Sequence, residues 1–127
     1  MPKLKDGDNA HAQEQRLLGF QDAVTAADIP HVITHVDEVD SSIDDRQRVA
    51  VVCASDFYAQ KLYQKYKGKN VGIIGFDDQR TLRELGIAMD SVAYDVSATA
   101  KSAIAYLLDG IKPTQPIPHR IVKRGSV

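Results

Sequence analysis

Two continuous apolar runs constrain the fold of this 127-residue chain more than any other feature. Residues 49–53 (VAVVC) and 71–76 (VGIIGF) are rich in β-branched side chains and lack the polar alternation of a half-exposed strand. Such runs are typical of strands that are covered on both faces, as in a parallel sheet. The 55–66 stretch between them predicts a helix, and Gly68 stands where a helix-terminating glycine is expected. Strand, helix and strand in this order predict a parallel βαβ unit.

The rest of the chain continues this alternation. Its predicted strands are 31–36, 91–96 and 119–123, and its predicted helices are 11–28, 81–85, 98–108 and a short one that starts at Ser41 or Ser42. Asp8 or Asn9 is expected to cap the first helix, and Ser97 the 98–108 helix. Alternating helices and strands predict an α/β fold with a mainly parallel sheet and helices on both of its faces.

Charge and composition exclude several functional classes. The chain carries 16 Lys plus Arg against 17 Asp plus Glu, so its net charge of −1 gives no bulk attraction to nucleic acid or to an anionic membrane. No apolar run approaches the ~20 residues of a membrane span, and the amino-terminal stretch lacks the apolar core of a secretory signal. The single cysteine, Cys53, has no partner for an internal disulfide. We therefore expect a cytoplasmic, reduced, single-domain protein that does not bind membranes.

Polar side chains follow three of the predicted strands at their carboxyl ends, which is the edge where open parallel sheets bind ligands. They are Asp37 after the first strand, Ser55-Asp56 after the second and Asp77-Asp78 after the third. Converging carboxylates suit Mg²⁺, a phosphate held through that ion, or the hydroxyls of a polyol. Asp77 directly follows a buried strand and is the better ligand candidate. Asp56 and Asp78 are expected to serve mainly as cap or loop residues.

Other chemistries find little support in the sequence. Neither a glycine-rich phosphate loop nor a G-x-S-x-G elbow occurs. The four histidines are scattered without a set of accompanying ligands, so neither a metal nor a cofactor is predicted. Cys53 lies in an apolar run and is expected to be a core thiol. The cations near the carboxyl end, Arg124 among them, are expected to form a solvated edge.

Four stretches, taken together, resemble the effector-binding domain of the lactose-repressor (LacI/GalR) family of bacterial transcription regulators. They are RLLGFQDAV at 16–24, VAVVCASDFYAQKLYQ at 49–64, VGIIGFDDQ at 71–79, and SVAYDV through AIAYLLDGI to PHRIVKRGSV at 91–127. The family repeats this order: an R-x-x-G-[FW] helix, an apolar strand followed by a polar residue and Asp, a G-[FY]-D-[DN] strand end and a terminal R-x-S. Each piece is common, and the four in order are specific.

The resemblance implies a periplasmic-binding-protein-like fold of two lobes around a sugar or a nucleobase. By similarity, Arg16 corresponds to the arginine that binds effector hydroxyls or a carboxylate, Ser55 to the polar residue before the Asp, and Asp77 to the effector-binding acid. Asp37 is a fourth candidate, from its place at a strand end alone. The implied function is that of a binding module that senses a small effector, such as a sugar, and not that of an enzyme.

The resemblance also implies which part of such a regulator this chain carries. We expect residues 1–127 to form a partial effector-binding domain, mainly its C-terminal lobe, without the DNA-binding headpiece, the hinge helix and the first lobe. The stretch 37–48 is shorter than the family's usual helix there. DNA would be contacted only through a headpiece that this chain lacks.

A homodimer is the implied assembly, because family regulators associate through the second lobe, near 56–67 and 79–85. The 98–108 helix packs on the first lobe in the family, so its apolar side chains are expected to face water in this chain. These side chains are Ala100, Ile104, Leu107 and Leu108. We expect this helix either to dock again on its own lobe or to be exchanged with a second chain.

Two other functions remain open from the sequence. One is a Mg²⁺-dependent receiver-like or phosphoryl-transfer domain that uses Asp37, Asp56 and Asp77, although no lysine stands at a strand end to bind the phosphate. The other is one lobe of a transport solute-binding protein, against which the lack of a signal peptide counts.

We expect this chain not to bind operator DNA with sequence specificity. Reading base edges requires an element that enters a groove, and the sequence encodes neither a helix-turn-helix nor a zinc finger. Gel retardation with operator-length duplexes and scrambled controls measures this. Retardation of one duplex in preference to its scrambled control would refute the expectation.

Overall fold

Helices and strands alternate along residues 10–127, which the computed structural model describes. The helices are α1 (Ala10–Ala26), α2 (Asp56–Tyr66), α3 (Arg80–Glu84) and α4 (Val96–Asp109). The strands are β1 (Val49–Val52), β2 (Val71–Phe76), β3 (Asp90–Tyr94) and β4 (His119–Val122). None of these helices is long and apolar enough to span a membrane.

The four strands form one sheet in the order β1-β2-β3-β4. Strands β2 and β3 are parallel, with Ile74 beside Asp90, whereas β4 runs antiparallel to β3, with His119 beside Tyr94. The Cys53 amide donates to the Ile74 carbonyl, four residues after the Val49 amide donates to Asn70, so β1 and β2 advance together and are parallel. The predicted α/β class with a mainly parallel sheet is therefore confirmed.

The chain divides into two compact units. The first contains residues 10–49 and Tyr66–Val71, and its buried side chains include Val24, Val39 and Tyr66. Within this unit the Tyr66 hydroxyl donates a hydrogen bond to the Asp40 carboxylate, and this bond, together with burial and nearby negative charge, raises the pKa of Tyr66 to about 12. The second unit contains Ala50–Lys65 and Gly72–Val127. Its buried apolar side chains are Ala59, Leu62, Ile73, Leu82, Met89 and Ala93.

Helix α1 ends two residues earlier than predicted, in a hydrogen-bonded C-terminal cap. The Asp28 amide donates to the Thr25 carbonyl and the Ile29 amide to that of Val24, while Asp28 itself adopts a left-handed φ of 53°. This is the Schellman arrangement, in which aspartate here replaces the more usual glycine. The predicted amino-terminal caps of this helix, Asp8 and Asn9, lie outside the described residues.

Two predictions for the 31–48 stretch were wrong. Residues 31–35 are irregular and not a strand, and Val32 is largely exposed. A segment with β-branched residues forms a strand only where a neighbouring strand is available for hydrogen bonding. The short helix is a 3₁₀ turn at Val39–Ser42 that precedes the predicted position. There the Ser41 hydroxyl donates back to the Glu38 carbonyl, so this side chain does not cap a following helix.

Strand β1 is not covered on both faces, contrary to the prediction. It lies at one edge of the sheet, and its residues alternate between half-buried and exposed, with Val52 56% exposed. A continuous apolar run does not distinguish a doubly covered strand from an edge strand with one open face, because both satisfy the same composition.

Helix α4 begins two residues earlier than predicted, and its cap is Asp95 and not Ser97. The Asp95 carboxylate accepts a hydrogen bond from the Ala98 amide at 2.9 Å. At the other end Gly110 takes a left-handed φ of 67°, and its amide donates to the Tyr106 carbonyl, as the sequence predicted for this glycine.

The carboxyl-terminal residues are bound into the sheet through Asp90, a buried residue of β3. One oxygen of its carboxylate, Oδ1, accepts the backbone N–H groups of Arg124, Gly125 and Ser126 at 2.5, 2.8 and 3.2 Å. The Ser126 hydroxyl accepts from the Asp90 amide and donates to the Ile73 carbonyl of β2. The terminal R-x-S motif, residues 124–126, therefore joins β2 to β3 through hydrogen bonds.

These donors act on the ionisation of Asp90. Burial alone would raise the pKa of this carboxyl, but the N–H donors of residues 124–126 outweigh burial and hold the pKa below its ordinary value of 3.8. A carboxylate whose folded pKa is depressed stabilises the fold above the unfolded pKa and loses that contribution as the pH falls through the folded pKa. Asp90 therefore contributes fully at neutral pH and progressively less below the ordinary value.

We expect Asp90→Asn to lower the free energy of unfolding by about 1–3 kcal/mol at neutral pH, because the three amides lose a charged acceptor. The difference between wild type and variant is expected to shrink as the pH falls from about 5 to about 3, because the Asp90 carboxyl of the unfolded chain takes up its proton in this range while the lowered pKa of the folded carboxyl still opposes protonation. Urea unfolding at several pH values measures both effects, with exposed Asp109→Asn as the control. A difference that stays constant over this range would contradict the assigned role of the charge.

Candidate functional site

The loop at the carboxyl end of β2 has an unusual backbone. Asp77 has a φ of 99° and Asp78 a φ of 50°, both in the region that L-amino acids rarely adopt. The Asp77 amide donates to the Val92 carbonyl of β3 at 2.9 Å, which fixes the first residue of the loop to the neighbouring strand. Both side chains are half-buried. The G-F-D-D motif thus forms a fixed turn at the carboxyl end of β2.

The carboxylate of Asp56, at the start of α2, supports this turn. It is 2% exposed, and its two oxygens accept hydrogen bonds from the Ser91 hydroxyl and the Gln79 amide, each at 2.7 Å. Ser91 in turn accepts the Asp78 amide at 3.0 Å. Asp56 is therefore structural, as predicted, but these bonds join α2 to the loop and to β3 and are not the helix cap that the sequence suggested. Because both of its oxygens already accept hydrogen bonds from the protein, Asp56 is poorly placed to bind a ligand.

Because Gly75 has no side chain, the Asp56 carboxylate can lie directly against the backbone of β2. A Cβ at this position would lie 2.0 Å from Asp56 Oδ1 and 3.1 Å from the Asp56 Cα. No side chain fits there without displacing the carboxylate or the start of α2. The sequence signal was a glycine inside an apolar strand, which marks a close approach to the backbone.

A half-buried ion pair closes the same loop from the other side, and it was missed from the sequence. Arg124 Nη2 lies 2.7 Å from Asp78 Oδ1, and Nη1 donates to the Met89 carbonyl at 3.0 Å. The prediction of a solvated Arg124 was wrong, because the tail that Asp90 holds places this side chain against the loop. Asp78 has the structural role that the sequence predicted.

The four predicted ligand residues fall in different units. Ser55 and Asp77 belong to the second unit, where they follow the adjacent strands β1 and β2, and both are half-buried. Arg16, half-buried on α1, and Asp37, exposed in a turn, belong to the first unit. The strand that was to present Asp37 is not formed, so the geometric reason for choosing this residue is lost. A single concave face that contains Arg16, Ser55 and Asp77 stays a prediction.

Neither thiol chemistry nor metal binding is supported at this edge of the sheet. Cys53 is half-buried and so lies outside the buried core, contrary to the prediction of a core thiol. Burial, with a smaller contribution from the Asp56 charge, raises the pKa of its thiol to about 11, so the thiol is protonated and unreactive at neutral pH. Among residues 10–127 no three His, Cys, Asp or Glu side chains lie close enough together to hold a metal ion.

We expect Gly75→Ala to destabilise the second unit by about 1–3 kcal/mol, because the new methyl group overlaps the Asp56 carboxylate. Gly19→Ala is the matched control: it lies in α1 with no heavy atom within 4 Å of the added Cβ, and it is expected to stabilise by up to about 1 kcal/mol. Chemical denaturation of both variants provides the measurement. Equal stability of Gly75→Ala and wild type would show that the carboxylate can move away at no cost.

Three comparisons relate this chain to known proteins. It is similar to the crystal structure of a sugar-binding transcriptional regulator of the LacI family from Escherichia coli complexed with phosphate, with a TM-score of 0.68 and 20% sequence identity. The likeness covers 98% of this chain and 52% of the regulator, so the chain spans about half of that protein's length. No curated protein matches.

The family comparison covers almost the whole chain. The profile described as a periplasmic binding protein-like domain matches residues 5–127. Together with the fold likeness, this match confirms the periplasmic-binding-protein-like fold that the resemblance implied. The chain belongs to the family of periplasmic binding protein-like domains.

Proposed function

We propose that this chain is the effector-binding part of a LacI-type transcription regulator and that its effector is a sugar. The observation that carries the proposal is the strained backbone at Asp77, with its φ of 99° at the carboxyl end of β2. Such conformations cost about 1–3 kcal/mol each and persist where the surroundings enforce them, commonly at ligand-binding sites. If the turn had no further function, we would expect glycine at this position, because glycine adopts a positive φ without strain.

Four hydrogen bonds around the turn hold the backbone of Asp77 and Asp78 in this conformation. The amides of Asp77, Asp78 and Gln79 donate in succession to the Val92 carbonyl, the Ser91 hydroxyl and the Asp56 carboxylate, and Ser91 donates to Asp56. Every amide of the turn is thus held by β3 or α2. A carboxyl group on so rigid a support loses little entropy when it binds a ligand, and this preorganisation favours affinity.

The chemistry of the proposed ligand residues suits a polyol. A carboxylate such as Asp77 accepts hydrogen bonds from one or two sugar hydroxyls, a serine hydroxyl such as Ser55 both donates and accepts, and a guanidinium such as Arg16 donates from a planar fork. Asp37 is retained as a fourth candidate. The regulator of similar fold is described as sugar-binding, which supports a sugar as the ligand class here.

The proposal describes a binding module without catalytic activity. It includes a cytoplasmic location, a homodimer, and contact with operator DNA only through a headpiece outside residues 1–127. The family match and the fold likeness support the role of a binding module, because a binding-protein domain and a binding regulator are what the comparisons return. The assignment of residues 1–127 mainly to the C-terminal lobe belongs to the same proposal.

We expect Asp77→Asn to weaken sugar binding by about 10- to 150-fold, which corresponds to the 1.5–3 kcal/mol of a hydrogen bond to a charged group. Asparagine tolerates the left-handed φ at least as well as aspartate, so the turn keeps its shape and only the charge is removed. Isothermal titration calorimetry with a panel of mono- and disaccharides identifies the ligand and measures the loss. Arg16→Ala is expected to cause a loss of similar size.

Asp109→Asn, at the end of α4, is the matched control and is expected to bind like wild type. Unchanged affinity of Asp77→Asn for every sugar that the wild type binds would remove Asp77 from the site. Inorganic phosphate is included in the panel with and without Mg²⁺. Phosphate binding that requires Mg²⁺, in the absence of sugar binding, would instead support the receiver-like alternative.

A further inference from the structure

The side chain of Arg124 connects the carboxyl-terminal tail to the loop that follows β2. The Arg124 amide is bound by the Asp90 carboxylate, which fixes the point from which the side chain extends. Its Nη2 donates to Asp78 Oδ1 at 2.7 Å and its Nη1 to the Met89 carbonyl at 3.0 Å. The Arg124 and Asp78 side chains are only 20% and 10% exposed. The ion pair is therefore largely shielded from water, and the backbone behind the guanidinium is itself held in place.

The Asp78 carboxylate depends on this pair. Arg83 Nε lies 3.9 Å from the same oxygen, and its side chain is 49% exposed, so solvent screens the attraction that it provides. The Asp78 amide donates to the Ser91 hydroxyl, which in turn donates to the Asp56 carboxylate, so a second negative charge lies one hydroxyl group away from the Asp78 backbone. Loss of Arg124 would leave a shielded carboxylate without its nearest cation, which is strongly unfavourable.

The backbone of the turn links this carboxylate to Asp77. The two residues are neighbours and both have positive φ values, 99° for Asp77 and 50° for Asp78. Strained conformations persist only where the surroundings enforce them. A turn that opens to hydrate the Asp78 carboxylate would relax both φ values and displace Asp77. The ion pair therefore opposes the relaxation of the turn.

We propose that Arg124 is a positioning residue for Asp77. It contacts Asp78 and the Met89 carbonyl and not the ligand, and its charge keeps the strained turn in the conformation that binds. The proposal rests on the proposed function, in which Asp77 is a ligand residue. The tail thereby contributes to ligand affinity through the turn.

Two substitutions of Arg124 separate its charge from its size. Lysine keeps a positive charge that can pair with Asp78, but it lacks the planar fork that serves Asp78 and Met89 together. Glutamine fills part of the same space and carries no charge. If the charge holds the turn, Arg124→Lys is expected to retain most of the wild-type behaviour and Arg124→Gln to lose it.

Amide hydrogen exchange of the full chain, followed by nuclear magnetic resonance well below the unfolding midpoint, tests the effect on the turn without any ligand. Arg124→Gln is expected to accelerate exchange of the amides of residues 77–79 by about 10-fold or more, as for the loss of a hydrogen bond to a charged group. The amides of Cys53 and Ala59, which are bound to the Ile74 and Ser55 carbonyls, serve as references and are expected to change less. Arg124→Lys is expected to stay close to the wild-type rates.

Sugar titrations at the same temperature test the effect on binding. Arg124→Gln is expected to weaken binding by about 3- to 30-fold, the range in which residues outside a ligand contact commonly act, and Arg124→Lys is expected to restore most of the loss. Lys123→Gln is the matched control, because it removes the same charge from an exposed neighbour in the same tail. It is expected to bind like wild type.

A double-mutant cycle identifies the partner through which Arg124 acts. Asp78→Asn removes the charge that Arg124 neutralises, and asparagine tolerates the left-handed φ. In this background Arg124→Gln is expected to cause a smaller fold-loss of affinity than in the wild type, because no unpaired carboxylate is left behind. Equal losses in both backgrounds would contradict the route through Asp78.

The remaining outcomes distinguish this proposal from the proposed function. Turn amides that exchange in Arg124→Gln as they do in the wild type would overturn the positioning role. An equal acceleration of turn and reference amides would also overturn it, since Arg124 would then act on global stability alone. A wild type that binds none of the sugars would contradict the proposed function, whereas the exchange rates would still decide whether Arg124 holds the turn.

Discussion

The carboxylate of Asp56 is the group on which the second unit depends. It is buried at the start of α2 and is stabilised there only because Ser91 and Gln79 donate to its two oxygens. An unpaired buried carboxylate would be strongly unfavourable, so helix, loop and strand have to be in place together. Gly75 is part of the same arrangement, since any larger residue would occupy the position of the carboxylate. A single acidic side chain thus couples α2, β2, β3 and the candidate ligand loop.

The carboxyl tail repeats this principle with different partners. Asp90 is buried in β3 and accepts hydrogen bonds from the three amides of residues 124–126. Arg124, in the same tail, forms an ion pair with Asp78 of the loop that follows β2. The loop is therefore held between two networks, one centred on Asp56 and the other on Asp90. Buried polar networks that are fully satisfied specify one arrangement more strictly than apolar packing does. This accounts for a strained turn that persists in a small unit.

Much of the fold could be predicted from local patterns. The helix-terminating roles of Gly68 and Gly110 and the bounds of α2 and β2 followed from periodicity and cap chemistry, which are properties of neighbouring residues. The strand at 31–36 failed because a strand exists only with a partner, and no local pattern reveals one. The open face of β1 was missed for the same reason.

The site was only partly accessible to sequence analysis. The structural roles of Asp56 and Asp78 were predicted in outline, but the partners of both are 13 to 46 residues away in the chain. Arg124 was misjudged because its environment is created by a hydrogen-bonded tail. Arg16 and Ser55 were chosen by similarity to the family and not by their spacing in the sequence. They belong to different units, and sequence spacing carries no information about distances between residues of different units.

The hydrogen bonds between Asp90 and the tail have a consequence for the order in which the chain becomes structured during synthesis. Its three amide donors lie 34 to 36 residues further along the chain. A nascent chain that has exposed β3 but not the tail must keep the Asp90 carboxylate hydrated, which opposes the burial of that strand. Domains of many proteins fold while their later segments are still being made. Here β4 and residues 124–126 have to leave the ribosome before the Asp77–Asp78 loop acquires its final shape, so that this loop becomes ordered late in synthesis.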